Sequence, residues 1–134
     1  MLGQREPEIY GTQTLAELEA LCRTEARSLG LAIDFRQSNH EGELVTWIQQ
    51  AAQGYAGLII NAAAYSHTSI ALYDALKILK IPVVEVHLSN PQEREAFRHH
   101  SYIEAVAIKT VAGQGFKGYV AALSLLKNVL AAKF

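Results

Sequence analysis

Residues 85–98 gather side chains that can move a proton and hold a small anion: Glu85, His87, Ser89, Asn90, Arg94 and Arg98. A histidine exchanges protons near neutral pH, which suits general acid–base work. Glu85 stands two residues before His87. On a strand that spacing puts both on one face, where the carboxylate can orient the ring. Asn90 is a natural N-cap, Pro91 suits the first helical position and Glu93 follows, so a short helix is expected from Pro91. Arg94 and Arg98 are four apart, a spacing that would set both guanidiniums on one face of that helix. Helix-start amides and two guanidiniums favour an anion, here one with hydroxyls to match the polar groups beside it.

Other polar residues stand at predicted strand ends. Asn61 leads into Ala62-Ala63-Ala64-Tyr65-Ser66-His67, and Gly113 and Gly115 close a later strand. With parallel strands all of these fall on one rim, where small ligands bind in open α/β sheets. Arg5 and Tyr10 lie in a leading loop that could reach the same rim. Each residue also has a plainer reading. His87 could be a structural histidine, and Arg94 and Arg98 a solvated face. Asn61 could cap a turn, His67 could cap the helix near Ser69, and Tyr10 could be a packed loop aromatic. Asp74 reads as a surface charge. His40 reads as a turn and cap, and His99 and His100 as exposed. Gly113-Gln114-Gly115-Phe116-Lys117-Gly118 matches G-x-G-x-x-G, but no Asp or Glu follows Glu104 to hold a ribose. Those glycines are read as serving a tight turn and close packing. No Walker loop, CxxC or HExxH occurs. His67 and His87 have no recognised metal spacing.

The elements that must position these groups alternate along the chain. Thr14-Leu15-Ala16-Glu17 is a capping-box pattern before a helix that Gly30 closes. Strands are expected at 31–36, 57–61, 81–86 and 105–111, and helices at 43–52, 69–79 and 117–132. This is an α/β pattern, a parallel sheet with helices on both faces. A length of 134 residues fits one domain, 1–134, and half of the residues are hydrophobic, enough for a core. A net charge of −1 gives no nucleic-acid footprint. The single cysteine, Cys22, has no internal disulfide partner, and a reducing compartment is the simplest setting. No apolar run approaches the roughly 20 residues of a membrane helix. The polar start is not read as a signal peptide.

At this point several segments speak together. They are Arg5-Glu6-Pro7-Glu8-Ile9-Tyr10-Gly11, Gln37-Ser38-Asn39-His40-Glu41-Gly42, the run from Ile60 to Ser69, Glu85-Val86-His87-Leu88-Ser89-Asn90, and Phe97-Arg98-His99-His100-Ser101. In order and spacing, over nearly the whole chain, they resemble type II 3-dehydroquinate dehydratase. The resemblance implies a flavodoxin-like three-layer sandwich and a cytoplasmic homo-oligomer, a dodecamer built as a tetramer of trimers. It implies a hydro-lyase that dehydrates 3-dehydroquinate to 3-dehydroshikimate by anti elimination through an enolate. That is the third step of the shikimate pathway, toward chorismate and aromatic amino acids, and needs no cofactor or metal. By position, Tyr10 is the base, helped by Arg5. A free tyrosine titrates at about pH 10, so a nearby positive charge is required. His87 is the acid, oriented by Glu85. Leu88 and Ser89 hold the substrate carboxylate, Asn61, His67 and Arg98 the hydroxyls, and Arg94 supports them. Asp74 is similar to a residue that reaches the site of a neighbouring subunit.

One departure carries an expectation. Family members begin with a strand and a loop resembling I-x-V-L-N-G-P-N-L-N, which this sequence lacks ahead of Met1-Leu2-Gly3. Its loss should expose ladder groups and apolar surface on the strands expected at 31–36 and 57–61. A start at an internal methionine is the preferred reading over a true truncation, because the downstream site residues are intact. The leading hypothesis is a lyase. The alternative is a catalytically impaired oligomeric binding module of the same fold. An unrelated flavodoxin-like phosphate or nucleotide binder ranks last, for want of a phosphate loop. The loop at 3–10 is expected to act as a lid.

Overall fold

The computed structural model describes residues 14–132. Helix α1 (Leu15–Ser28) starts where Thr14 Oγ1 accepts the Glu17 amide at 3.2 Å, and buries Leu18, Cys22 and Ala26. These are four apart, the spacing of one helical face. Helix α2 (Glu41–Ala51) buries Ile48 and Ala51. Strand β1 (Leu58–Ile60) follows, then helix α3 (Ile70–Ile78), strand β2 (Val83–His87), strand β3 (Lys109–Ala112) and helix α4 (Lys117–Ala131). Ser69 caps α3 by accepting the Leu72 amide at 3.0 Å. The capping role considered for His67 therefore belongs to Ser69.

The sheet has the order β1-β2-β3, all parallel, with Ile60 opposite Glu85 and Glu85 opposite Thr110. The central strand β2 is buried along its whole length. Val83 packs with Ile48, Leu72, Leu76 and Ile103 on one face. Val84 and Val86 pack with Ala122 and Leu126 of α4 on the other. Helix α1 joins α4 there through Leu18, Cys22 and Leu123. This is the expected three-layer α/β arrangement. Alternation along β2 sends Glu85 and His87 to the face opposite Val84 and Val86.

The strand expected at 105–111 is shorter, Lys109–Ala112, and follows a 3-10 turn at Glu104–Val106. Two further expectations change. Residues 31–36 form no ladder, although their burial alternates as in a strand, with Leu31, Ile33 and Phe35 half-buried. A ladder needs a partner edge at hydrogen-bond distance. Among the described residues a cavity separates this segment from β1, and both line it. The segment is instead tied by side chains, Arg36 Nη2 to Asp34 Oδ2 at 2.9 Å and Tyr55 Oη to the same oxygen at 2.6 Å. The second change concerns the helix from Pro91. It is a single 3-10 turn, Pro91–Glu93, capped by Asn90 Oδ1 on the Gln92 amide at 3.0 Å. Arg94 is extended at φ −112° and ψ −164°, and a separate turn, Ala96–Arg98, follows. Arg94 and Arg98 therefore share no helical face. The glycine reading holds. Gly113 takes φ +76° and donates to Ser89 O at 3.1 Å. A Cβ on Gly118 would meet Val86 Cγ1 at 3.4 Å.

Candidate active site

The carboxyl end of β2 opens into a cavity of about 1130 Å³. Asn61, His67, His87, Leu88, Ser89, Arg94 and Arg98 all line it. The turn after β1 brings Asn61 and His67, β2 brings His87, and the loop beyond it brings the rest. The two arginines converge through two separate turns rather than one helix.

The acid–base pair is the best-defined part. His87 Nε2 lies 2.8 Å from Glu85 Oε2, and Glu85 is fully buried. An unpaired carboxylate could not remain ionised there. Ser101 Oγ donates to the same Oε2 at 2.5 Å, and Thr110 Oγ1 donates to Oε1 at 2.8 Å. Burial pushes the Glu85 carboxyl up, but His87, Ser101 and Thr110 together hold it below its ordinary value. A carboxylate that accepts several hydrogen bonds keeps its charge, so it can orient the ring through Nε2.

The other groups are also oriented. His67 Nδ1 donates to the His100 carbonyl at 2.8 Å, which fixes the ring. The His67 and His87 rings stack with centroids 6.3 Å apart. Asn61 Oδ1 accepts the Ala63 amide at 3.0 Å, which turns the carboxamide. Arg98 Nε pairs with Glu95 Oε2 at 2.8 Å, and Arg94 Nε lies 3.9 Å from that oxygen. Glu95 is exposed, so the pairing is screened and a ligand anion can compete for the guanidiniums. Tyr119 also lines the cavity, its phenol pushed up to about 12 by burial, with Asn61 opposing the shift. No group of three or more His, Cys, Asp or Glu suited to a metal occurs among the described residues.

The comparisons decide the family. Residues 1–127 match the family described as Dehydroquinase class II. The chain belongs to this family. The class II dehydroquinase fits its relatives over most of its length. It is 56% identical over 129 residues to the 3-dehydroquinate dehydratase of Brucella canis, covering 96% of this chain and 82% of that one. The crystal structure of type II dehydroquinase from Propionibacterium acnes superposes with a TM-score of 0.92 at 48% identity, covering 95% of this chain and 88% of that one. A 3-dehydroquinate dehydratase-like protein from Bifidobacterium longum gives a TM-score of 0.74 at 36% identity, covering 87% and 89%.

The dehydroquinase gathers most of the residues singled out from sequence. Asp74 is the exception: it is exposed on α3 and does not line the cavity. Arg5, Tyr10 and the expected lid at 3–10 lie outside the described residues. Four residues of the site escape sequence reading: Glu95, Ser101, Thr110 and Tyr119. Ser101 belongs to a quoted motif but had no assigned role. Thr110 carries no signal short of the strand register.

Proposed function

We propose that this dehydroquinase dehydrates 3-dehydroquinate to 3-dehydroshikimate, with His87 delivering the proton to the departing C1 hydroxyl. The observation that carries the reading is the buried Glu85–His87 pair at the mouth of a cavity that also presents Asn61, His67 and Arg98. The other half of the elimination is removal of a C2 proton, which we assign to Tyr10 with Arg5 beside it. Proton loss at C2 forms an enolate. Its collapse expels the hydroxyl, which leaves as water once His87 protonates it, so charge and atoms balance. The substrate is a carboxylate with ring hydroxyls. The Leu88 and Ser89 amides suit the carboxylate, while Asn61, His67 and Arg98 suit the hydroxyls. Arg94 adds positive charge from the loop. The step belongs to the shikimate pathway.

The oligomer is also a proposal. Ile70, Asp74 and Ile78 are four apart on α3, hence on one face. Ile70 and Ile78 are 55% and 75% exposed. An apolar stripe of that kind fits a subunit contact. It would carry Asp74 into the site of a neighbouring subunit of a trimer, four of which would build the dodecamer. A buried free cysteine, Cys22, suits a reducing cytoplasm. Among the described residues no helix is long and apolar enough to cross a membrane.

The test is turnover. Purified protein given 3-dehydroquinate in neutral buffer should show the rising absorbance of the product enone. Replacing Tyr10 with Phe should abolish it while ligand still binds. Absence of enone with ligand bound would sink the lyase assignment and favour a binding module.

A further inference from the structure

Glu85 is fully buried, and its two oxygens are held by groups from three different places in the chain. Oε2 accepts from His87 Nε2 at 2.8 Å and from Ser101 Oγ at 2.5 Å, while Oε1 accepts from Thr110 Oγ1 at 2.8 Å. The direction of the Ser101 proton is set by its surroundings. Its oxygen faces the Ile103 amide at 3.2 Å and the Glu104 amide at 3.3 Å. A hydroxyl has one proton and two acceptor sites, so with both amides donating to it the proton points at Glu85. The loop that carries Ser101 is pinned by the Tyr102 amide on Ser66 O at 2.8 Å and by the fully buried Ile103. Thr110 is equally fixed, because it is the register partner of Glu85 across the parallel ladder.

We infer that Ser101 and Thr110 are positioning residues for the His87 acid: they lock the Glu85 carboxylate so that it grips Nε2 of the ring and leaves Nδ1 to serve the ligand. This rests on the dehydratase reading for its kinetic consequence, but its structural content stands independently. A carboxylate with only the imidazole for a partner would be free to rotate about its terminal bond. Buried as it is, it would also lose the donors that make its charge tolerable. The ring would then lose both its fixed tautomer and its aim. Neither hydroxyl need touch substrate, since each acts through Glu85.

The test uses Ser101→Ala, Thr110→Val and Thr110→Ser in the full chain. Thr110→Val keeps the volume and removes only the donor. Thr110→Ser keeps the donor. Two readouts are taken: steady-state turnover of 3-dehydroquinate, and the ring nitrogen shifts of His87 in protein labelled with nitrogen-15 histidine. Ser101→Ala and Thr110→Val should each lower kcat roughly 10- to 100-fold, part of the ~10²–10⁴ a positioned acid supplies. KM should hold, the His87 shifts should move away from an Nε2-bonded ring, and Thr110→Ser should stay near the parent in both. Unchanged ring shifts in both donor-deleting variants would overturn the inference, even if kcat fell, because the loss would then be merely structural. Unchanged kcat in an active parent would overturn it as well. If the parent forms no enone at all, the dehydratase reading fails, and the nitrogen shifts still decide the positioning claim.

Discussion

Replacing Glu85 with Gln isolates one charge in an otherwise preserved shape. The amide keeps an acceptor oxygen that can face His87 Nε2 and Ser101 Oγ. Its NH2 can donate to Thr110 Oγ1, which now lies 2.8 Å from Oε1 and can accept as well as donate. Weaker hydrogen bonds are offset by the lower cost of burying a neutral group, so stability should change by no more than about 2 kcal/mol. Catalysis should suffer far more. A charge pair about 4 Å apart in an effective dielectric near 20 is worth about 4 kcal/mol. The observed His87–Glu85 contact is 2.8 Å at a fully buried carboxylate, so this scale bounds the electrostatic support the carboxylate can give the ring in the transition state. Each ~1.4 kcal/mol is tenfold in rate, which gives a loss approaching ~10³. Since a positioned acid supplies ~10²–10⁴ in all, kcat for Glu85→Gln should fall roughly 10²- to 10³-fold. KM should change little, because Glu85 does not line the cavity. Enone absorbance gives the rate, and thermal melting shows that the variant is folded. A folded variant that retains more than a tenth of the parent kcat would refute the idea that this carboxylate sustains the acid.

Other predictions follow from single features. Ala63 holds φ +51°, a left-handed conformation that costs an L residue roughly 1 kcal/mol, so Ala63→Gly should raise Tm by a few degrees in a melting scan. An unchanged or lower Tm would show that the turn carries no strain. Acid and alkali should act through different groups. Glu85 sits below its ordinary 4.5 in the folded state, so its contribution is present above about that pH and is lost as pH falls through the folded value. The Cys22 thiol is pushed from 9.0 up to about 11 by burial and by Glu19, so folding favours the protonated form. Its contribution is complete below pH 9 and disappears as pH rises toward about 11, which urea midpoints across that range would detect. Asp34 is also lowered but is exposed, so solvent screening leaves it little influence on stability. Ile78→Asp places a charge on the exposed face of α3. Sedimentation should then show smaller assemblies, and an unchanged mass would remove that face from the interface.

Some of this protein is determined by the sequence alone. The 3.6-residue spacing of Leu18, Cys22 and Ala26 and the cap at Thr14 define α1 without reference to anything else. The two-residue spacing of Glu85 and His87 places them on one face wherever β2 lies. Local periodicity and capping are properties of neighbouring residues, so they can be read in order. The family motifs carry the site residues in the same way. Other features wait for the tertiary structure. Residues 31–36 alternate like a strand, but a ladder depends on the edge they meet, and the edge of β1 lies across a cavity. Arg94 and Arg98 converge although the helix assumed for them breaks at Arg94. Ser101 and Thr110 reach Glu85 from 16 and 25 residues away. One-hydroxyl side chains leave no periodic trace, and only cross-strand register and a pinned loop decide which carboxylate they meet. The sequence thus determines which groups can do the chemistry. Register and packing decide which of them keep Glu85 charged, and so which can make His87 an acid.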